Sequence, residues 1–324
     1  MQTARTIMKQ QSFAPEGFEK YRKKTRKEMF LEEMDQIIPW IEMTEAITPY
    51  YPVPKGPGRP PVGLERMLRI HFLQHWFELS DPGVEEALYD SRALQTFVGI
   101  DLGKEPVPDE TTICKFRHLM ERHNLGDRLF QLVNEYLAEN GLKVSRGTIV
   151  DASIISAPTS TKNKDKQRDP DMHQTRKGNQ WYFGMKTHIG VDSKHKLIHS
   201  IVVTPANCHD SQVISDLLHG DETRVWGDSA YAGQGDVIKQ CAPHAQDFTQ
   251  KKGSRYQKLT DRDRQKNRHK SKVRSRVEHV FGILKQRFGY TKVRYKGLDK
   301  NAHAVFTKCA LVNLVIARRT LMAG

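Results

Sequence analysis

Thr148-Ile149-Val150-Asp151-Ala152-Ser153-Ile154-Ile155 decides the fold. β-Branched residues dominate this stretch, which predicts a strand, yet a carboxylate, Asp151, stands in its middle. A charge among apolar neighbours is costly unless something compensates it. Two further carboxylates sit in comparable settings: Asp228 in Val225-Trp226-Gly227-Asp228-Ser229-Ala230-Tyr231, and Glu278 in Arg276-Val277-Glu278-His279-Val280-Phe281. Such a set points to a bound metal ion.

Outward from the first strand, Trp181 to Val191 and Lys196 to Thr204 are also rich in β-branched or aromatic residues, and Asp192-Ser193-Lys194-His195 joins them as a turn. A short helix from about Ser211 to Leu218 follows. Then come a strand from Arg224 to Asp228, a helical stretch near Val237, a weak strand near Phe248 and a long helix after Lys270. The order β-β-β-α-β-α-β-α makes this an α/β chain with a mixed sheet backed by the last helix. Asp151 then falls inside the first strand, Asp228 at the carboxyl end of the fourth, and Glu278 on the helix.

That helix carries Val273, Val277, Val280, Phe281, Leu284 and Phe288 at three- and four-residue intervals, an apolar stripe expected to face the sheet. Arg274, four residues before Glu278, and Lys285, seven after it, share the neighbouring polar face. As a surface ion pair, Arg274 and Glu278 would contribute only a few tenths of a kcal/mol. Read functionally, the face offers one metal-binding carboxylate and two cations for phosphates.

Charge supports the second reading. Residues 251–300 contain 18 Lys or Arg and four acids, Asp261, Asp263, Glu278 and Asp299, a surplus equal to the +14 of the whole 324-residue chain. The remaining residues balance, so the excess belongs to the segment around Glu278, and a polyanion is the natural partner. A merely solvated basic face is the plainer alternative.

The N-terminal half reads as helical. Residues 1–61 comprise a basic tail (Lys20, Arg22, Lys23, Lys24, Arg26, Lys27), a helix through Met29, Leu31, Met34, Ile37 and Ile38, and a Pro/Gly-rich linker, Pro52 to Pro61. Residues 62–145 hold apolar positions at Leu64, Met67, Leu68, Phe72 and Phe77, then Asp81-Pro82 as cap and first helical residue, and helices at 109–121 and 126–139 closed by Gly141. This all-α region suits DNA binding or dimerisation. Residues 146–324 form the α/β unit. The four cysteines are scattered without zinc spacing. No apolar run reaches membrane-spanning length and the start lacks a secretory signal, so no membrane partner is expected and the chain is placed in the cytoplasm.

Val150-Asp151-Ala152-Ser153, Gly227-Asp228-Ser229-Ala230-Tyr231 and the spacing of Arg274, Glu278 and Lys285 resemble the catalytic motifs of bacterial insertion-sequence DDE transposases, most of all insertion-sequence family five of the family-four-like group. Gly58-Arg59-Pro60-Pro61, Leu68 to Gln74, Pro108 to Thr112 and Gly178 to Gly184 extend the resemblance over nearly the whole chain. One departure is Ser271, where the related group carries tyrosine. The resemblance implies a ribonuclease H-like catalytic domain over 146–324, with Asp151, Asp228 and Glu278 holding two Mg²⁺ ions, Mn²⁺ able to substitute, and Asp151 bridging. Mg²⁺ prefers oxygen ligands, and ions about 3.5–4 Å apart can assist both the attacking and the leaving oxygen of phosphoryl transfer. The implied activity is metal-assisted hydrolysis at terminal inverted repeats, followed by attack of the 3′-OH on target DNA. The implied partners are double-stranded transposon ends, target DNA and a second copy of the chain, near a bacterial nucleoid. Arg274 and Lys285, with Lys270, Lys272, Arg276 and Arg59, would contact DNA, mainly its phosphates. A catalytically inactive repressor or adopted binding factor with the same fold, and a nuclease that never joins strands, are the alternatives; the intact triad favours the transposase.

Weaker expectations attach elsewhere. The Gly-Arg-Pro core around Arg59 is either a turn-rich linker or a minor-groove hook. Trp181, Tyr182 and Phe183 are expected to pack, as aromatics at a strand start do, with a base-stacking residue exposed at a hairpin as the alternative. Asp210 or Ser211 is expected to cap the following helix while His209 contacts nearby backbone, with His209 and Asp210 as an acid/base pair the alternative. Thr159 to Asn179 is expected to be a polar loop.

Overall fold

Seven helices precede the first strand in the computed structural model, which describes residues 23–53, 56, 60–142, 146–164, 166–254, 256 and 258–323. They are α1 (Arg26–Ile37), α2 (Trp40–Ile47), α3 (Leu64–Phe77), α4 (Asp81–Asp90), α5 (Arg92–Val98), α6 (Glu110–Arg122) and α7 (Leu125–Glu139). β1 (Gly147–Ser156), β2 (His173–Lys177), β3 (Gln180–Asp192) and β4 (Ile198–Pro205) come next, then α8 (Ile214–Leu217), β5 (Arg224–Trp226), α9 (Gly235–Cys241), β6 (Gln246–Asp247), α10 (Asp261–Gly282) and α11 (Leu298–Leu321). Linker residues 54, 55 and 57–59, Arg59 among them, and the tail before residue 23 lie outside the described residues.

The six strands form one mixed sheet. β1 is central, antiparallel to β3 on one side and parallel to β5 on the other, and β6 extends β5 in parallel. Along the far edge of β3, β2 pairs with residues 180–184 and β4 with residues 185–191. Ile149 and Val150 are both fully buried, so β1 is covered on both faces, as its unbroken apolar run requires. On one face Val150 joins Val213, Ile214, Leu217, Val225, Tyr231 and Ile238 beneath α8 and α9. On the other, Ile149, Ile155 and Ile189 join Val277, Val280 and Leu284 of the α10 segment and the buried side of α11.

That second cluster runs on into the N-terminal helices. α11 makes the join, with an unusual device at Asn313. This buried amide accepts from the Ile198 N–H at 2.8 Å, donates to the Ile198 carbonyl at 2.7 Å, and donates to Asn134 of α7 at 2.8 Å. It occupies the backbone groups at the start of β4 that would otherwise be buried unpaired. Lys308, five residues earlier and also buried, donates to Glu78 Oε2 at 2.6 Å. Glu78 ends α3 in the left-handed region and also receives Arg294 at 3.1 Å.

Several expectations are revised. Within the stretch expected to be a polar loop, residues 173–177 form β2, because their N–H and C=O groups pair with β3 and need no apolar side chains of their own. The last helix of the sheet layer starts at Asp261 rather than after Lys270, with Thr260 accepting from the Asp263 N–H at 3.2 Å as its cap. It does not stay α-helical: Ile283–Arg287 form a π turn in which Phe288 N–H reaches Ile283 O at 3.0 Å. One extra residue per turn shifts the phase of the side chains beyond it, and Leu284 and Phe288 remain buried. In α4 the cap is Ser80, which accepts from Gly83 N–H at 3.0 Å, leaving Asp81 in the first turn to bind Arg117 at 2.9 Å.

Candidate active site

In the parallel pairing of β1 with β5, Ile149 lies opposite Trp226. Asp151 and Asp228 are each two residues further on, the first still within β1 and the second beyond the end of β5. Asp228 stands just past β5, where its Oδ1 accepts the Ala230 N–H at 2.8 Å and caps the 3₁₀ turn Ser229–Tyr231. Asp151 Oδ1 accepts the Ala152 N–H at 2.9 Å, and its Oδ2 accepts from Arg274 Nη1 at 2.9 Å. The other arm of Arg274 donates to Glu278 Oε1 at 3.0 Å. Arg274 therefore bridges strand and helix carboxylates, and is more than half of a surface pair. The Glu278 side chain is 61% exposed and Asp151 15%, so one end of the bridge faces solvent and the other the interior.

An open cleft of about 690 Å³ receives Asp151, Asp210, Asp228 and Glu278 together with Lys186 and Lys285. Burial pushes the Asp151 carboxyl up to about 6; Ala152 N–H and Arg274 oppose this, while Asp228 and Asp210 add to it. Lys285 donates to Ile154 O at 3.1 Å, and burial, aided by Lys177 nearby, lowers its affinity for a proton.

Asp210 and Lys186 were not foreseen as members of this site. His209, not Asp210 or Ser211, caps the short helix, accepting from the Ser211 N–H. That frees Asp210 to turn inward, where Lys186 Nζ donates to it at 2.8 Å and to Cys208 O at 2.7 Å. The buried His188 sits behind the pair, its Nδ1 4.0 Å from Asp210 Oδ1 and its Nε2 2.9 Å from Thr204 Oγ1. Burial holds His188 down at about 4, against the pull of Asp210, and it is neutral at pH 7. The signal available in sequence was a lysine in the middle of a largely buried strand, a charge that needs an acid to face.

The other candidate contacts divide. Lys270 is turned inward, donating to Thr249 O at 2.7 Å, and Arg276 donates to Ser193 O in the β3–β4 turn. Lys272 is exposed on α10. Tyr182 is half-buried and Phe183 buried, whereas Trp181 is 64% exposed at the tip of the β2–β3 hairpin, against the expectation that it packs.

Residues 143–314, more than half of the chain, match the family model described as Transposase DDE domain. The chain belongs to the DDE transposases. Residues 19–119 of this transposase also match a second model, Transposase domain (DUF772). A solved cryo-EM structure of a piggyBac transposase synaptic complex with hairpin DNA is similar at a TM-score of 0.43 and 10% identity, over 90% of this chain and 73% of that one. The mixed sheet flanked by helices fits the ribonuclease H-like fold expected of the family. No helix among the described residues is long and apolar enough to cross a membrane.

The donor set suits a hard divalent cation in chemistry: every candidate ligand is a carboxylate oxygen. The buried Tyr231 hydroxyl has no hydrogen-bond partner and resists ionisation through burial and through Asp210, Asp151 and Asp228, which marks the negative potential these acids share. Among the described residues, no three His, Cys, Asp or Glu side chains converge on one point. Arg274 occupies the bridging role between Asp151 and Glu278, so an ion bound by both would compete with it.

Proposed function

We propose that this transposase binds the terminal inverted repeats of an insertion element of the family-five type, cleaves the DNA at the element's ends and joins the freed 3′-OH to target DNA. The observation that carries the reading is the placement of Asp151 on β1 and of Asp228 just past the end of its parallel neighbour β5, with Glu278 lining the same cleft and tied to Asp151 through Arg274. Asp151, Asp228 and Glu278 would hold Mg²⁺, or Mn²⁺ in its place; when bound, the ions supply the positive charge that phosphoryl transfer needs. Arg274 and Lys285 lie on the cleft wall and would take up phosphate oxygens as the DNA enters, Arg274 with its planar fork and Lys285 as a point charge. Asp210 receives Lys186 at 2.8 Å and lines the same cleft. Residues 62–145 would contribute end recognition or dimer contacts, and a second copy of the chain would complete the pairing of two ends.

The test is cleavage of a duplex spanning one end of the element in Mg²⁺ or Mn²⁺. Wild type should nick at the boundary, and Asp151→Ala should bind without nicking. Equal nicking by both would remove the catalytic assignment. Covalent joining of pre-cut ends to plasmid separates the transposase from a nuclease that only hydrolyses.

A further inference from the structure

Trp181 is the one tryptophan of four that stands exposed; Trp76 and Trp226 are buried and Trp40 is half-covered. Single exposed apolar side chains are ordinary on protein surfaces. What sets this one apart is how it is held. β2 and β3 turn through Gly178, whose φ of +62° is a conformation that favours glycine. Arg176, directly across from Trp181 in the ladder, donates from Nε to Gly178 O at 3.1 Å and from Nη2 to Asn179 Oδ1 at 3.4 Å. Both bonds fix the guanidinium beside the indole, 6.0 Å from the ring. Tyr182 donates to Gln180 at 2.9 Å and stiffens the other side of the turn. The aromatic surface is therefore presented on a tethered tip.

The surroundings say what it is presented to. From Met172 to Val191 the chain contains no acid, while Arg176, Lys177 and Lys186 are basic. Arg176 and Lys177 also line the cleft that holds Asp151, Asp228 and Glu278. A polyanion in that cleft thus passes beside the indole. An aromatic ring next to a backbone-binding cation is the arrangement that takes up bases of single strands, each of which has a π face. Inside a duplex both faces of a base are already covered, so the base must be unpaired.

We propose that Trp181 is a stacking platform for one unpaired nucleobase of the DNA engaged by the catalytic cleft, with Arg176 and Lys177 holding the adjoining phosphates. The proposal rests on the DNA-processing function above. Its occupant is a base exposed at a nick, flap or frayed end beside the reacting phosphodiester.

The experiment compares wild type with Trp181→Leu and Trp181→Phe on two probes: a fully paired duplex, and the same duplex with a short single-stranded flap carrying one 2-aminopurine. Wild type should quench the 2-aminopurine and bind the flap more tightly than the paired duplex. Trp181→Leu should lose the quenching and weaken flap binding by about 5- to 150-fold, the worth of one base–aromatic stack, while paired-duplex binding changes less than about twofold, since phosphate contacts carry it. Trp181→Phe should keep much of both signals. Acrylamide quenching of the protein's own fluorescence should fall when flap DNA binds, because Trp181 dominates the exposed signal. Unchanged flap binding and 2-aminopurine quenching in Trp181→Leu would overturn the proposal while leaving the transposase reading intact. A change in sedimentation from dimer to monomer in Trp181→Leu, with quenching retained, would instead assign the tip to contact between copies and also overturn it. Failure of wild type to bind either DNA at low salt would defeat both readings together.

Discussion

Replacing Asp151 by Asn should make the metal-free protein more stable at neutral and alkaline pH. Burial is the main reason that the carboxyl is raised from 3.8 to about 6, with Asp228 and Asp210 adding to it. At ~1.36 kcal/mol per tenfold change in proton affinity, ionising Asp151 in the folded protein costs ~3 kcal/mol. Asparagine removes that charge but accepts less strongly from Arg274, which takes back ~1 kcal/mol. The net gain is ~1–2 kcal/mol at pH about 8. A raised folded value stabilises the protein fully only below the unfolded value and is lost as pH rises through the folded one. The advantage of Asp151→Asn should therefore be absent near pH 4, open between about 4 and 6, and stay level above. Urea unfolding in a chelating buffer across this range measures it. Added Mn²⁺ should then stabilise wild type, by ~2.7 kcal/mol at a hundredfold excess over its dissociation constant, and leave Asp151→Asn unmoved. An Asp151→Asn protein that is no more stable than wild type at pH about 8, or whose advantage does not vary with pH, would refute the reasoning that this carboxylate is held charged against its environment.

Asp210→Asn should slow strand nicking by on the order of tenfold or more, ~1.4 kcal/mol in the barrier, with duplex affinity unchanged; gel assays of cleavage and binding on the same preparations decide it, and full nicking would reduce Asp210 to a packing role. Among the basic residues of α10, Lys272→Met should flatten the dependence of log affinity on log salt by ~0.9 if it neutralises one phosphate, whereas Lys270→Met should leave the slope alone because its ammonium is turned to Thr249 O. Gly184→Val should cost ~3 kcal/mol or prevent folding, since a Cβ there would meet Ile155 O at 2.0 Å, backbone that cannot move aside without breaking the β1–β3 ladder; a soluble variant with an unchanged urea midpoint would contradict that geometry.

The catalytic half was legible because its signals are local. β-Branched runs around Asp151 and a three- and four-residue apolar stripe around Glu278 are each determined by which face of an element is buried, and Val277, Val280, Leu284 and Phe288 are indeed buried where the stripe put them. What escaped the sequence depends on partners far along the chain. β2 has mostly exposed side chains and exists through backbone pairing with β3. Asp210 joins the cleft because Lys186, 24 residues earlier, reaches it from β3. α11 is covered by both the sheet and the N-terminal helices, so it lacks a clean amphipathic stripe, and its role turns on buried Asn313 and Lys308, whose polarity argues for exposure until their backbone and carboxylate partners are seen.

The positive surplus of residues 251–300 acquires a finer division from the same contacts. Lys270, Arg274, Arg276 and Lys285 are directed at the sheet and its turns, meeting Thr249 O, Asp151, Ser193 O and Ile154 O. Lys266, Arg268 and Lys272 are exposed on α10. The inner cations hold the helix against the sheet with hydrogen bonds to main-chain carbonyls and to the Asp151 carboxylate, while the outer ones add long-range attraction for a polyanion. Of the inner four, Arg274 and Lys285 line the cleft, so a phosphate arriving there competes with the bonds that seat α10. On the proposed function, DNA binding and the position of Glu278 would be linked through one helix: a phosphate that took over the Arg274 guanidinium would free Asp151 and Glu278 for a cation.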